Sequence, residues 1–163
     1  MNAFNDFALA RALHVFAVLI WIGGVAFVTL VLLPACRQIA VPAERIALFE
    51  RLEHRFAAIA RYAVLLAGLS GLWLVWRLDA WGRFADPATW WWMHAMVAVW
   101  AIFALLLFVL EPLILHKLFR RLAERDPEGS FARIQRLHYV LLTASLVTVI
   151  GAVAGSHGGW FFG

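Results

Sequence analysis

The chain has 163 residues, of which 64% are hydrophobic and 15% are charged, and its formal net charge is +4. A soluble domain of this length needs far more polar surface, and the mean hydropathy of +0.83 is typical of a polytopic membrane protein. The positive charge comes from arginines in the connections. No basic run is interleaved with aromatic residues as a nucleic-acid binder requires, so we expect no nucleic-acid partner.

Four runs with almost no charge predict four membrane-spanning helices. They cover about 12–35, 56–76, 90–110 and 137–154. A rise of ~1.5 Å per residue lets each of them cross a hydrocarbon core of ~30 Å. Backbone polar groups in lipid must be satisfied within the segment, which helices achieve. We therefore expect an all-α, integral membrane four-helix bundle in which residues 1–163 form a single transmembrane domain surrounded by membrane lipids.

The basic residues predict the orientation of these helices. Eleven of the fourteen Lys and Arg residues lie in the first and third connections or at their margins. The positive-inside rule places such connections in the cytoplasm, so both termini are predicted on the periplasmic side of a multi-pass protein of the bacterial inner membrane. Tryptophans gather at the opposite ends of the helices, and the "WWW" of 90–92 is expected to serve only as an anchor among the lipid headgroups.

The connections carry their own local signals. The stretch "VPAERIALFERLEHRF" places apolar residues near one stripe, which predicts a cytoplasmic extension of the second helix or a short surface helix. The turn signals in "AERDPEGSFAR" predict a loop, with Ser130 as the N-cap of the fourth helix. Glu111 precedes Pro112 at the end of the third run, where we expect an acid that reaches water.

Small residues recur at four-residue spacing in two of the helices. Ala63, Ala67 and Gly71 form one such stripe, and Gly151 and Gly155 form the other. Small side chains at this spacing allow two helices to approach each other closely. The stripes therefore predict helix–helix contacts, and they would also permit a homodimer.

Four of the six histidines sort into two layers on the predicted topology. His14 and His94 lie just inside the first and third helices, which enter from the periplasmic side. His54 and His138 lie where the second and fourth helices enter from the cytoplasm. In an up-and-down bundle helices 1 and 3 are diagonal partners, as are helices 2 and 4. Two imidazoles at equal depth on opposing helices can be the axial ligands of haem b, so the layers predict one or two haems.

Other polar side chains near these layers are candidate auxiliary ligands. Arg11 and Arg61 lie three and seven residues from His14 and His54, on helix faces from which they could bind haem propionates. His157, flanked by glycines in "GSHGGW", is a candidate labile third ligand. Any one histidine at a helix border can equally be an amphipathic side chain that hydrogen-bonds a neighbour or a headgroup, and this alternative stays open.

The layer of His14 and His94, predicted on the periplasmic side and called the outer layer below, also allows a copper site. Met93 and Met96 flank His94, and thioether together with imidazole is a donor set that suits copper, particularly Cu(I). The two methionines lie on adjacent helix faces, however, and packing inside the bundle explains them as well. The metal-ligand candidates are His14, His94, His54, His138, His157, Met93 and Met96.

The first two helices resemble a known family. The stretch "ALHVFAVLIWIGG…LLPA" resembles the opening span of the copper resistance protein D (CopD) family, and "RFAAIARYAVLLAGLSGLW" resembles its second span. The pattern is also similar to the HemJ family of membrane protoporphyrinogen oxidases. By that similarity His14 and His94 fall on the family's key positions, which implies a b-type haem. The HemJ pattern expects a lysine two residues after the second of these histidines, where this chain has Met96.

The sequence leads to one expected function and two alternative activities, and a structural or assembly subunit without a cofactor is a further possibility. We expect an inner-membrane b-type haem protein with a redox or electron-transfer role, in which a quinol or a small redox partner exchanges electrons with haem held between opposing helices. Such a protein could act as a membrane oxidoreductase. The resemblance to the CopD family implies copper binding or copper transport instead, and the resemblance to HemJ implies protoporphyrinogen oxidase activity.

Overall fold

The computed structural model describes residues 3–115 and 126–159 of the chain, and these residues are almost entirely helical, without a strand. Four helices are long and apolar enough to cross a membrane: Asn5–Arg37, Glu44–Arg77, Trp91–Leu113 and Glu128–Ser156, referred to below as the first to fourth spans. This confirms the predicted all-α fold with four transmembrane helices. Each span is longer than the apolar run that predicted it, because the helix continues beyond the uncharged stretch.

Five α-helices and three short segments of other helical type build the described part of the chain. In order they are α1 (Ala3–Phe27), the π-helical segment π1 (Val28–Leu32), α2 (Leu33–Arg37), α3 (Pro42–Arg77), a 3₁₀ segment (Ala80–Ala85), α4 (Trp91–Leu105), the π-helical segment π2 (Leu106–Leu115) and α5 (Pro127–Ser156). The predicted extension of the second helix is part of α3, which continues into the second span without interruption.

Prolines and a capping carboxylate set the starts of the two helices that leave the basic connections. Val41 is extended, and Pro42 follows it in the first turn of α3, where no backbone N–H is needed. At α5 the side chain of Asp126 accepts a hydrogen bond from the backbone N–H of Gly129 at 2.9 Å, so Asp126 is the N-cap. The assignment of this role to Ser130 was wrong, because the helix starts earlier and buries Ser130 within it, at 2% exposure.

Both π-helical segments adjoin a proline. Pro34 follows π1, and Pro112 lies within π2. A proline inside a helix has no N–H to donate and crowds the preceding turn, and a wider turn accommodates it. In π2 the carbonyl of Leu107 accepts a hydrogen bond from Nε of Arg61 at 3.1 Å. A side chain of the second span thus uses an oxygen of the widened turn, which borders the cavity described below.

The core in the middle of the bundle joins all four spans. The first span packs most extensively against the second, and the third packs mainly against the fourth. Trp21 and Phe103 meet edge to face, with 4.9 Å between ring centroids, and so link the first and third spans. Around them lie buried side chains of the other two spans, Ala63, Val64, Ala67 and Leu142. The burial of Ala63 and Ala67 confirms the first small-residue stripe as a helix contact.

The tryptophans that open the third span pack into the protein as well as marking its end. A Cβ built on Gly151 would overlap the ring of Trp91, and one on Gly155 would overlap the ring of Trp92, which is 9% exposed. The expectation that these tryptophans only anchor the helix was wrong for this pair, because the glycines of the fourth span leave room for their rings. The second stripe is thus a contact within one chain, and the homodimer stays a prediction.

Candidate functional site

His14 is half-buried on α1 and faces the second span. Its Nδ1 lies 3.0 Å from the carbonyl oxygen of Ala67 and 3.2 Å from the hydroxyl oxygen of Ser70. A Cβ on Gly71 would lie 3.1 Å from ring atom Cε1, so this glycine leaves the space that the ring occupies. Because a carbonyl oxygen only accepts hydrogen bonds, Nδ1 of the neutral ring carries the proton and Nε2 keeps its lone pair.

His94 lies in the first turn of α4 and faces the 3₁₀ segment. Its Nδ1 is 3.1 Å from the carbonyl oxygen of Trp90, and its Nε2 is 3.3 Å from the carbonyl oxygen of Phe84. The ring of Phe84 packs edge to face against the imidazole, with 5.4 Å between centroids. A neutral imidazole has one N–H and can donate to only one of these carbonyls. The longer contact, at Nε2, is therefore the one that a ligand could replace.

The two outer histidines have different neighbours. His14 contacts the second span and His94 contacts the 3₁₀ segment, and within residues 3–115 no hydrogen bond or ring contact joins the two. Arg11, the predicted partner for a haem propionate, is exposed on α1. The structure therefore brings each outer histidine to a backbone carbonyl rather than to the other histidine.

The methionines beside His94 belong to an apolar cluster at the end of the bundle that carries His14 and His94. This end is called the outer end below, and the opposite half is called the inner half. Met93 is 5% exposed and packs with Trp92 and Ala80, and Met96 packs against the same cluster. In the described part of the chain no group of three or more His, Cys, Asp and Glu residues could hold a metal ion. The position of both methionines agrees with the packing explanation, and the copper site stays a prediction.

His54 and His157 are both exposed. His157 ends α5, where its Nδ1 lies 2.7 Å from the carbonyl oxygen of Val153 and 3.2 Å from the hydroxyl oxygen of Ser156. This local contact satisfies one ring nitrogen at the end of the helix. Among the contacts of the described residues, neither His54 nor His157 touches His14 or His94. Neither of them therefore supplies a second protein ligand there.

A cavity of about 120 Å³ lies between the four spans, in the half of the bundle nearer the basic connections. Its wall is mostly apolar and aromatic, with Trp21 among the aromatic residues, and its polar members are Glu50, Glu53, Glu111, Ser130 and His138. Along α5 the lining runs from Ser130 to Leu141, which is ~16 Å of helix axis. The polar residues of the wall therefore lie at several depths in the bundle.

His138, a predicted haem ligand, lines this cavity. Its Nδ1 lies 3.0 Å from the carbonyl oxygen of Ile134, and its ring packs edge to face on Phe49, with 6.1 Å between centroids. The carbonyl fixes the proton of the neutral ring on Nδ1, so Nε2 is a hydrogen-bond acceptor. His54, the predicted partner of His138, is not among the described residues that line the cavity.

Arg61 and Glu111 form an ion pair at the cavity wall. Nη2 of Arg61 lies 3.0 Å from Oε2 of Glu111, and the two side chains are 30% and 14% exposed. The angle of this contact is not that of a hydrogen bond, so within the described ranges Oε2 has a counter-charge but no hydrogen-bond donor. The expectation that Glu111 reaches water was wrong, because an arginine of the second span pairs with it inside the bundle.

Two buried polar atoms of residues that line this cavity find neither a hydrogen-bond partner nor a counter-charge among residues 3–115 and 126–159. They are Nε1 of Trp21 and Oγ of Ser130. Trp21 and Ser130 are only 4% and 2% exposed. A buried polar group without a partner costs about 1–3 kcal/mol, so proteins pair such groups with water, ions or ligands. Two of them on the wall of one cavity mark it as a candidate binding site.

Sequence reasoning missed most of these polar groups. Trp21 lies in the middle of the first span, too deep for the headgroup region, so its N–H needs a partner inside the protein. That depth is a signal that the sequence contains. Glu53 has no comparable signal, because it lies among the charges of an amphipathic stretch.

No protein-family model, no curated protein and no solved structure matches the chain. The class that the fold defines is an all-helical membrane protein with four spans and a cavity in one half of the bundle. The resemblances to the CopD and HemJ families stay predictions.

Proposed function

We propose that this protein is a membrane redox protein that holds one b-type haem between the outer ends of the first and third spans, with His14 and His94 as axial ligands. The observation that carries the proposal is the orientation of the His14 ring, whose Nδ1 lies on the carbonyl of Ala67 while Nε2 keeps its lone pair. Metal-binding histidines commonly donate from the other ring nitrogen to a carbonyl, which fixes the tautomer and the ring orientation. A haem held in this way would supply one-electron transfer.

His94 supports the second axial position through a similar arrangement. The contact of its Nδ1 with the carbonyl of Trp90 would orient the ring. Its Nε2 would have to leave the carbonyl of Phe84 at 3.3 Å, so ligation requires the ring to turn away from the 3₁₀ segment. Arg11, exposed at the same end of the bundle, is the candidate to bind a haem propionate.

A second haem in the inner layer has less support. His138 lines the inner cavity, but His54 is exposed and outside the described lining, so the two do not form a ligand pair there. Arg61, the predicted propionate partner of that layer, is paired with Glu111. We therefore propose a single haem at the outer end.

Copper is the alternative occupant of the outer layer, because it would use the same His14 and His94. The packing of Met93 in an apolar cluster does not favour it. Protoporphyrinogen oxidase activity of the HemJ kind is the remaining alternative. Met96 occupies the position at which that pattern expects a lysine, so we expect this activity to be absent.

We also infer a bacterial inner-membrane location with both termini in the periplasm. The four apolar spans and the basic residues of the first and third connections support this orientation. Fusion of alkaline phosphatase to the C-terminus tests it, because that enzyme is active only outside the cytoplasm. An inactive fusion together with an active cytoplasmic reporter at the same position would reverse the orientation.

The visible spectrum of the detergent-purified protein tests the haem. We expect a Soret and α-band pair that responds to reduction and about one haem per chain. His14→Ala and His94→Ala should each lower the haem content and shift the spectrum of any haem that remains, since each removes one of the two axial bonds to the iron. His54→Ala is the matched control: its side chain is exposed, and the variant should keep the full haem content.

Three other results would contradict the proposal. A colourless protein that retains copper by elemental analysis would favour the copper alternative. A protein with neither haem nor copper would overturn both the haem proposal and the copper alternative. Loss of haem in His138→Ala but not in His14→Ala would move the haem to the inner cavity.

A further inference from the structure

We propose that the inner cavity binds the ring of a quinol, a membrane-soluble two-electron carrier with oxygen atoms on opposite sides of a six-membered ring. The proposal gives the quinol partner predicted from the sequence a site within the fold. The biological role of a bound quinol rests on the proposed redox function, but quinol binding itself can be measured whether or not the protein contains haem.

The size of the cavity suits one aromatic ring. Its volume is about 120 Å³, and an apolar protein cavity of ~150 Å³ is known to bind benzene. A porphyrin is several times larger and would require the spans to separate. Phe49, Phe56 and Phe131 line the wall, where they can pack against the face or the edge of a ring.

Trp21, on the cavity wall, carries a hydrogen-bond donor. Its indole N–H is buried and has no partner in the part of the chain that the structure describes. Contact with the ring of Phe103 holds the indole in place. An indole N–H can only donate, so the group that satisfies it must be an acceptor, as either oxygen of a quinol or a quinone is.

His138 supplies the opposite chemistry. Since its Nδ1 donates to the carbonyl of Ile134, Nε2 of the neutral ring can only accept a hydrogen bond. A quinol hydroxyl can donate to Nε2, whereas a quinone carbonyl would turn its lone pairs towards that of the nitrogen. Glu111, held by its ion pair with Arg61, adds a carboxylate to the same wall, and its oxygens can only accept hydrogen bonds. The cavity therefore favours the reduced form of the carrier.

Trp21 and His138 lie at different depths of the cavity wall. Leu141 packs against the cluster that contains Trp21, and it follows His138 by three residues on α5. This separation corresponds to ~4.5 Å along the helix axis. A ligand with oxygen atoms on opposite sides of a ring therefore suits the two groups better than one with all its oxygens on one side.

The isoprenoid tail of a quinol also needs a path out of the cavity. Leu137 lines the cavity and is 38% exposed on the fourth span. In a membrane span an exposed leucine faces lipid. Leu137 therefore lies both on the cavity wall and at the lipid-facing surface, and beside it an apolar tail has the least protein to cross.

Calorimetric titration of the wild-type protein in lipid nanodiscs tests the proposal. The probes are a benzoquinol with a ten-carbon tail, kept reduced without oxygen, the corresponding benzoquinone, and decylbenzene, which has the same tail and no oxygen. We expect saturable quinol binding, about tenfold weaker quinone binding, and still weaker decylbenzene binding, because a missing hydrogen bond leaves a buried polar group unpaired.

Two variants and a matched control locate the site. Trp21→Phe keeps an aromatic ring but removes the N–H, and it should weaken the binding of both quinol and quinone about fivefold. Trp81→Phe makes the same chemical change at a tryptophan that is 51% exposed in the 3₁₀ segment, and it should leave the affinity unchanged. His138→Leu should remove the preference for quinol over quinone.

Each other outcome overturns a defined part of the proposal. Absence of quinol binding by the wild-type protein would reject the site, whether or not the protein contains haem. Equal affinity for quinol and decylbenzene would reduce the cavity to a space for any hydrocarbon, and this comparison needs no variant to fold. Equal loss in Trp21→Phe and Trp81→Phe would place the ring elsewhere.

Discussion

The two halves of the bundle differ in how they satisfy their polar side chains. At the outer end His14 and His94 contact backbone carbonyls, and the ring of Trp92 occupies the space beside Gly155. In the inner half, Trp21 and Ser130 line a cavity, and the indole N–H of one and the hydroxyl of the other find no partner in the described ranges. The outer end is closely packed and internally hydrogen-bonded, whereas the inner half has both space and available hydrogen-bonding groups.

This difference shows that a histidine at the border of a span is not sufficient evidence of a binding site. His94 and His138 each place Nδ1 near the carbonyl four residues earlier in the chain, a contact that any helix offers. Space next to unpaired polar atoms is the more specific signal. A ligand at the outer end must displace existing contacts, while one in the inner cavity gains new ones.

The largest effect on stability is expected from breaking the ion pair on the cavity wall. Arg61→Met leaves the Glu111 carboxylate, 14% exposed, without its counter-charge. Removal of one partner from a fully buried pair costs ~3–5 kcal/mol, and because Arg61 is 30% exposed we expect about 2 kcal/mol here. Unfolding by SDS titration in mixed micelles measures the loss. Adding Glu111→Leu should restore most of it, and a double variant as unstable as Arg61→Met would contradict the pairing.

A substitution at the packed outer end should have the next largest effect. Gly155→Leu forces a side chain into the ring of Trp92 and should lower the free energy of unfolding by about 1.5 kcal/mol, near the lower end of the range for overpacking. Gly23→Leu is the control, since among the described residues no atom lies within 4 Å of a Cβ built there. Its stability should be unchanged or slightly higher, because leucine is the better helix former. Equal stability of the two variants would mean that the outer end is not closely packed.

Two buried serines on α5 should respond differently to the loss of a hydroxyl. Oγ of Ser145 donates to the carbonyl of Leu141 at 2.7 Å, and Ser145→Ala should cost about 1 kcal/mol. Oγ of Ser130 lacks a partner within the described residues, so Ser130→Ala should be neutral or stabilising in the ligand-free protein. The same SDS titration compares them. A cost at Ser130 equal to that at Ser145 would indicate a water bound in the inner half.

The smallest effect concerns the short connection before the third span. Asp86 accepts hydrogen bonds from the hydroxyl and the backbone N–H of Thr89, which hold the pKa of its carboxyl below the usual range. A depressed native pKa stabilises the fold above the unfolded value of ~3.9, and this contribution disappears as the pH falls through the native pKa. Thr89→Val keeps the backbone donor, and NMR titration should show the Asp86 pKa rising towards normal. An unchanged pKa would assign the shift to the backbone alone.

The spans and the ends of the helices were predictable to different degrees. The number and type of the spans follow from long apolar runs, since only helices satisfy their own backbone in lipid. The start of α5 was assigned to Ser130, although Asp126 and the following proline carry the stronger N-terminal signal. Pro34 and Pro112 mark the wide turns π1 and π2, but the bond from Arg61 to Leu107 depends on the neighbouring span.

The sequence by itself determined that the chain is helical, that four helices can cross a membrane, and that His138 is a candidate ligand, because hydrophobicity and residue type are read directly along the chain. Only the tertiary structure decided that Arg61 pairs with Glu111 and that Trp21 lies buried beside a cavity. The reason is that a helix which is apolar on every side does not indicate which face turns inwards. Its rotation is set by the packing of neighbouring spans, and that packing selects the polar groups that meet.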